Sequence, residues 1–167
     1  MLLDDLRIHI IDAYYGRSED GRVSSTAEVN MVDNNLFLIC ACELNNVSEL
    51  FRIIVHEAIH RPLSKIIAEL SKEMCLNTNE TNVVSETFVR LIEKEVCNRI
   101  NVPSMMDEDM QKNVEELGFL EFYLQATLSW QDYINGTKRP ALREFIKSQV
   151  ERDRELLKKC TYSSSFL

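Results

Sequence analysis

Two histidines four residues apart, with a glutamate directly after the first, are the residues of this chain best placed to do chemistry. They close an apolar run, residues 51–60, that ends in His56-Glu57-Ala58-Ile59-His60. On a helix, positions i and i+4 share a face, so His56 and His60 can point their imidazoles at one metal ion. Glu57 sits about 100° further round the helix and can reach a water on that ion. Two neutral nitrogen ligands, an open coordination position and a neighbouring carboxylate as general base are what a zinc hydrolase needs.

A catalytic zinc usually takes three protein ligands and a water. His9 is the chain's remaining histidine and lies upstream of the motif, so a third histidine downstream is excluded. A carboxylate on a second helix packed against the first is the natural candidate. Glu86 meets this need: it falls 26 residues after His60, room enough for a helix, a loop and a second helix. Glu80, just ahead of it in the predicted loop, is the alternative ligand, and pairing of Glu86 with Arg90 at i+4 is the purely structural reading.

The elements that must position these groups are legible as changes of period. Residues 7–15 are β-branched and aromatic and read as a strand, with a short helix from Leu2 as the alternative, and residues 16–25 as a loop. Residues 27–33 alternate apolar and polar, Asn34-Asn35 signals a turn, and residues 36–42 read as a more buried strand, making a hairpin. Asn46 with Glu49 resembles an N-cap and its carboxylate partner, starting the histidine helix. Pro62 predicts that this helix ends or kinks just past His60. A further amphipathic helix carries Leu63, Ile66, Ile67, Leu70 and Met74. Residues 76–82 read as a loop, and helical spacing returns from Val83 to about Ile100 before a break over 101–109. Phe119, Phe122, Tyr123, Ala126, Trp130 and Tyr133 form an aromatic stripe that reads as core. Asn135-Gly136 and Pro140 precede a last helix with Leu142, Phe145, Ile146, Val150 and Leu157, and the tail from Thr161 reads as mobile. The fold class expected is α+β, a short antiparallel sheet or hairpin followed by a mainly helical body. One domain is expected over 1–167, with strands and hairpin in 1–45, metal-site helices in 46–100 and C-terminal helices in 104–160.

Composition narrows the partners. With 167 residues, 45 % of them hydrophobic, the chain can bury a sizeable core. A net charge of −8 without a strong basic cluster argues against nucleic acid as a partner. No basic n-region precedes an apolar core at the N-terminus, and no apolar run approaches the roughly 20 residues of a membrane span, so neither a signal peptide nor a membrane anchor is expected. Five cysteines, an odd number without CxxC spacing, suit reduced thiols in a cytoplasmic protein. Cys40 and Cys42 could ligate metal from one strand face but read more simply as small buried residues.

The motif, and the order hairpin, His-Glu-x-x-His helix, then Glu on a following helix, resemble the zincin metallopeptidases. Within them the likeness is to the gluzincins, of the small phage- and bacterial-type single-domain kind, and it covers roughly residues 27–100. The resemblance implies a zincin-like fold, Zn2+ held by His56, His60 and Glu86, and Glu57 as general base. It implies a peptide or protein substrate cleaved through a metal-activated water, and an edge strand over residues 36–42 that pairs with extended substrate. Arg61 and Pro62 follow the second histidine, and Arg90 stands where many gluzincins carry an Asp that orients the first histidine. The alternative function is a catalytically degenerate zincin-like protein that binds partners. Arg90, Tyr123 and Tyr133 are candidate donors to a developing oxyanion.

Overall fold

The computed structural model describes residues 7–12, 27–32, 35–40, 47–101 and 107–162. Three short strands come first: β1 (Arg7–Asp12), β2 (Ala27–Val32) and β3 (Asn35–Cys40). Six helices follow: α1 (Val47–Glu73), α2 (Thr78–Arg99), α3 (Asp107–Glu116), α4 (Leu120–Asn135), α5 (Leu142–Arg152) and α6 (Arg154–Lys159). The expected α+β, zincin-like class is corrected by this content: the protein is mainly helical. The buried core, as far as side chains are described, comes from the helices and the turns between them.

β3 lies between the other two strands, parallel to β1 and antiparallel to β2, with Ile8 opposite Leu36 and Val29 opposite Leu38. Both of its edges are therefore hydrogen-bonded. The expectation that residues 36–42 offer a free edge to extended substrate is corrected accordingly. The loop over 16–25, the turn at Asn34 and the cap at Asn46 lie outside the described residues.

α1 does not stop at Pro62; it runs unbroken from Val47 to Glu73. Proline removes one hydrogen bond, to the carbonyl of Ala58, and costs about 3 kcal/mol in a helix interior. Ala58 and Pro62 are both exposed, so that carbonyl is left to water. Beyond it Leu63, Ile67 and Leu70, all under 4 % exposed, hold the second half of the helix against the core. Packing outweighs the local break.

The predicted loop over 76–82 is shorter than expected because it contains a helix start. Asn77 Oδ1 accepts from the Glu80 backbone N–H at 2.9 Å, and Glu80 Oε2 accepts from the Asn77 backbone N–H at 2.9 Å. That reciprocal box opens α2 at Thr78, five residues before the apolar pattern begins. α1 and α2 thus form a tight helical hairpin. Its antiparallel register is marked by Arg52 against Glu93, His60 against Glu86 and Ser71 against Thr81.

The C-terminal helices close over this hairpin. Phe145 of α5 meets Phe88 of α2 edge-on at 6.0 Å and stacks on Tyr133 of α4 at 4.3 Å. Of the aromatic stripe, Phe119, Phe122, Tyr123, Ala126 and Trp130 are buried, as core positions should be. Thr161 and Tyr162 are held, against the expectation of a mobile tail from Thr161. The Thr161 N–H donates to the Gly118 carbonyl at 3.1 Å, and the Tyr162 N–H to Asn79 Oδ1 at 2.6 Å. No described helix is long and apolar enough to cross a membrane.

Candidate metal centre

His56 and His60 leave α1 on the same side, one turn apart, and face α2. Their Nε2 atoms lie 3.3 Å apart. Opposite them Glu86 places Oε1 3.4 Å from His60 Nε2 and Oε2 3.9 Å from His56 Nε2. A tetrahedral zinc with bonds of about 2.0–2.1 Å spaces its ligand atoms roughly 3.3–3.4 Å apart. The His56–His60 and His60–Glu86 Oε1 separations match that edge, while the approach of Glu86 to His56 is made by its other oxygen, Oε2, half an ångström beyond it. Two imidazoles and a carboxylate are also a donor set that zinc accepts, so the residues fit the ion.

Behind His56 stands a carboxylate that the sequence did not single out. Glu93, 1 % exposed, accepts from His56 Nδ1 at 2.7 Å and from Arg52 Nη1 at 3.2 Å. A neutral His56 that donates from Nδ1 must present the Nε2 lone pair to the cluster. This is the carboxylate–histidine arrangement that fixes tautomer and ring direction at metal sites. Glu93 lies two helical turns beyond Glu86, so both glutamates share a face of α2. Arg52 lies one turn ahead of His56 on α1. The signal was present as spacing, but its meaning depends on the register between the two helices.

The electrostatics suit the same assignment. Burial alone would raise the Glu86 pKa, but Arg90 and then the two imidazoles outdo it and hold the carboxyl below its ordinary value. Burial would likewise raise Glu93, and the His56 hydrogen bond and Arg52 bring it below. Burial lowers the pKa of His60, with Glu86 opposing, which favours the neutral ring a metal needs. Glu57, half-buried on the adjacent face, is pushed the other way. Burial raises it, with Glu86 and Glu93 adding, against His56 and Arg90. A carboxylate moved toward neutrality is better matched to taking and returning a proton.

Other sequence candidates fall elsewhere. Glu80 is committed to the α2 cap and lies 3.8 Å from Arg154 Nη2, outside the cluster. Arg90 is at the site: its Nη1 donates to the Glu86 carboxylate. The i+4 pair and the ligand geometry therefore coexist on one glutamate. Tyr123 is buried in the core, and the Tyr133 hydroxyl donates to the Pro140 carbonyl at 3.3 Å. Among the described residues Tyr162 feels the Glu86 carboxylate: its phenol pKa is raised by burial first and by the Glu86 charge second.

Comparison with known protein families, with curated proteins and with solved structures finds no match. The site is read from its own geometry.

Proposed function

We propose that the protein is a zinc-dependent metallopeptidase acting on peptide or protein substrates in the cytoplasm. The observation that carries this reading is the convergence of His56, His60 and Glu86, whose ligand atoms lie within 4.8 Å of one another. The resemblance of residues 51–60 to the His-Glu-x-x-His peptidases is the second support.

His56, His60 and Glu86 would hold the ion. Zinc, when bound, acts as a Lewis acid and lowers the pKa of a water toward roughly 7. Glu57 follows His56 directly and is half-buried, so its carboxylate takes a proton from the attacking water and returns it to the leaving amine. Glu93 keeps the His56 ring in one tautomer, and Arg52 neutralises Glu93, so that buried carboxylate stays ionised without the ion.

A second reading keeps the metal for structure and makes the chain a binding protein. The Arg90–Glu86 pair favours it, because a guanidinium already satisfies one oxygen of the third ligand. One experiment separates the readings. Zinc per chain is measured by elemental analysis for wild type, Glu86→Ala and Glu57→Gln, and cleavage is assayed on a peptide library. The peptidase reading expects about one zinc in wild type, loss or strong weakening in Glu86→Ala, and zinc without cleavage in Glu57→Gln. Cleavage that survives Glu57→Gln sinks the assigned base, and zinc without cleavage in the wild type leaves the binding protein.

A further inference from the structure

Arg90 is more firmly held than a surface partner of Glu86 needs to be. Its Nη1 donates to the Glu86 carboxylate and, at 3.3 Å, to the Glu86 backbone carbonyl. Its Nη2 donates to Asn113 Oδ1 of α3 at 3.2 Å. The guanidinium carbon lies 5.7 Å from the centre of the Phe119 ring, just ahead of α4. Such a contact adds a cation–π attraction. The side chain is 11 % exposed. Two of these four holds, Asn113 and Phe119, come from beyond residue 100, outside the resemblance over residues 27–100.

We propose that Arg90 is a positioning residue for the metal ligand Glu86, and that α3 and Phe119 serve the site through it. The proposal rests on the metal reading above. A glutamate has three rotatable side-chain bonds, and an unheld one must be ordered when it binds an ion. With Oε2 tied to Arg90, Oε1 is left facing His60 Nε2 at 3.4 Å. The planar fork of arginine reaches Glu86 and Asn113 from two separate nitrogens held in fixed geometry, where lysine has a single nitrogen on a flexible stem.

A cation beside a metal ligand also repels the metal. Glu57, Glu86 and Glu93 face the cluster with three carboxylates, against the two guanidiniums of Arg52 and Arg90. The local balance does not oppose a divalent ion, and orientation decides. Arg90 thus tightens metal binding.

The test is metal affinity and coordination. Zinc affinity is measured by competition with a chromogenic chelator, and the visible spectrum is recorded with Co2+ in place of zinc. Arg90→Lys, which keeps the charge and loses the fork, should bind zinc roughly tenfold more weakly or worse and alter the cobalt bands, as partners behind metal ligands commonly do. Asn113→Ala should change both in the same direction by a smaller factor, with the far-ultraviolet circular dichroism of both metal-free variants unchanged. Zinc affinity and cobalt bands equal to wild type in both variants overturn the proposal, and so does tighter binding in Arg90→Leu. A wild type that takes up neither metal fails differently: it removes the metal reading, and this inference with it.

Discussion

An imidazole binds metal well only when something else decides which nitrogen carries its proton. At His56 that decision belongs to Glu93, which is buried and also holds Arg52. Glu93→Gln retains an oxygen for the His56 N–H but removes the charge that strengthens the hydrogen bond and balances Arg52. Zinc should bind about 10–100-fold more weakly, measured by chelator competition, while His56 and His60 remain in place. An unchanged affinity would mean that His56 needs no partner behind it. That His56 and His60 share a face could be read from the chain alone, because i and i+4 on one helix is a local rule. Glu86 could be named as their third partner because ligand number and chain length called for a carboxylate on a returning helix, and it does converge on them. Glu93 could not, since a buried carboxylate seven residues on is meaningful only once α1 and α2 are in register.

The α1–α2 hairpin sets that register, and its turn is closed by an unusual residue. The Leu76 N–H returns to the Ser71 carbonyl at 2.9 Å, and Cys75 between them has φ of 51°. This is the pattern in which glycine normally ends a helix, because a left-handed conformation costs an L-residue roughly 1–2 kcal/mol. Cys75 is exposed, and its thiol makes only a long contact, 3.9 Å, with the Lys72 carbonyl. Cys75→Gly should therefore stabilise the protein by about 1 kcal/mol, seen as a rise of roughly 2–4 °C in melting temperature. A lower melting temperature would show that the side chain contributes more than its backbone strain costs. Both misread boundaries belong to this scale. Proline and a run of Asn and Thr are local signals for breaks, and each was overruled. At Pro62 the overruling force was burial of Leu63, Ile67 and Leu70 beyond an exposed carbonyl, and at residues 76–82 it was a capping box.

At the scale of the whole molecule, the chain returns to its own site. The segment after α6 passes beside Gly118 and the start of α2, where Asn79 holds it twice. Asn79 Nδ2 donates to the Cys160 carbonyl at 2.8 Å, and Asn79 Oδ1 accepts from the Tyr162 N–H at 2.6 Å. Gly118 is required there for two reasons. Its φ is +85°, and a Cβ would lie 2.1 Å from the Thr161 carbonyl oxygen. The positive φ is what a glycine ending a helix normally adopts, but the close approach is not visible in the sequence, because the partner is 43 residues away. Gly118→Ala must strain its own backbone by roughly 1 kcal/mol or more. It must also push residues 160–162 off, losing three hydrogen bonds worth about 1 kcal/mol each. A loss of about 4 kcal/mol is expected, a drop of roughly 8–16 °C in melting temperature for a chain of this size. The same substitution in a chain ending at Lys159 should cost only the backbone strain, about 1 kcal/mol, because the clashing carbonyl is gone. Equal costs in the two backgrounds would place residues 160–162 elsewhere. A larger cost in the full chain would mean that residues 160–162 are seated beside Gly118, with Tyr162 against Phe119, the ring that carries Arg90.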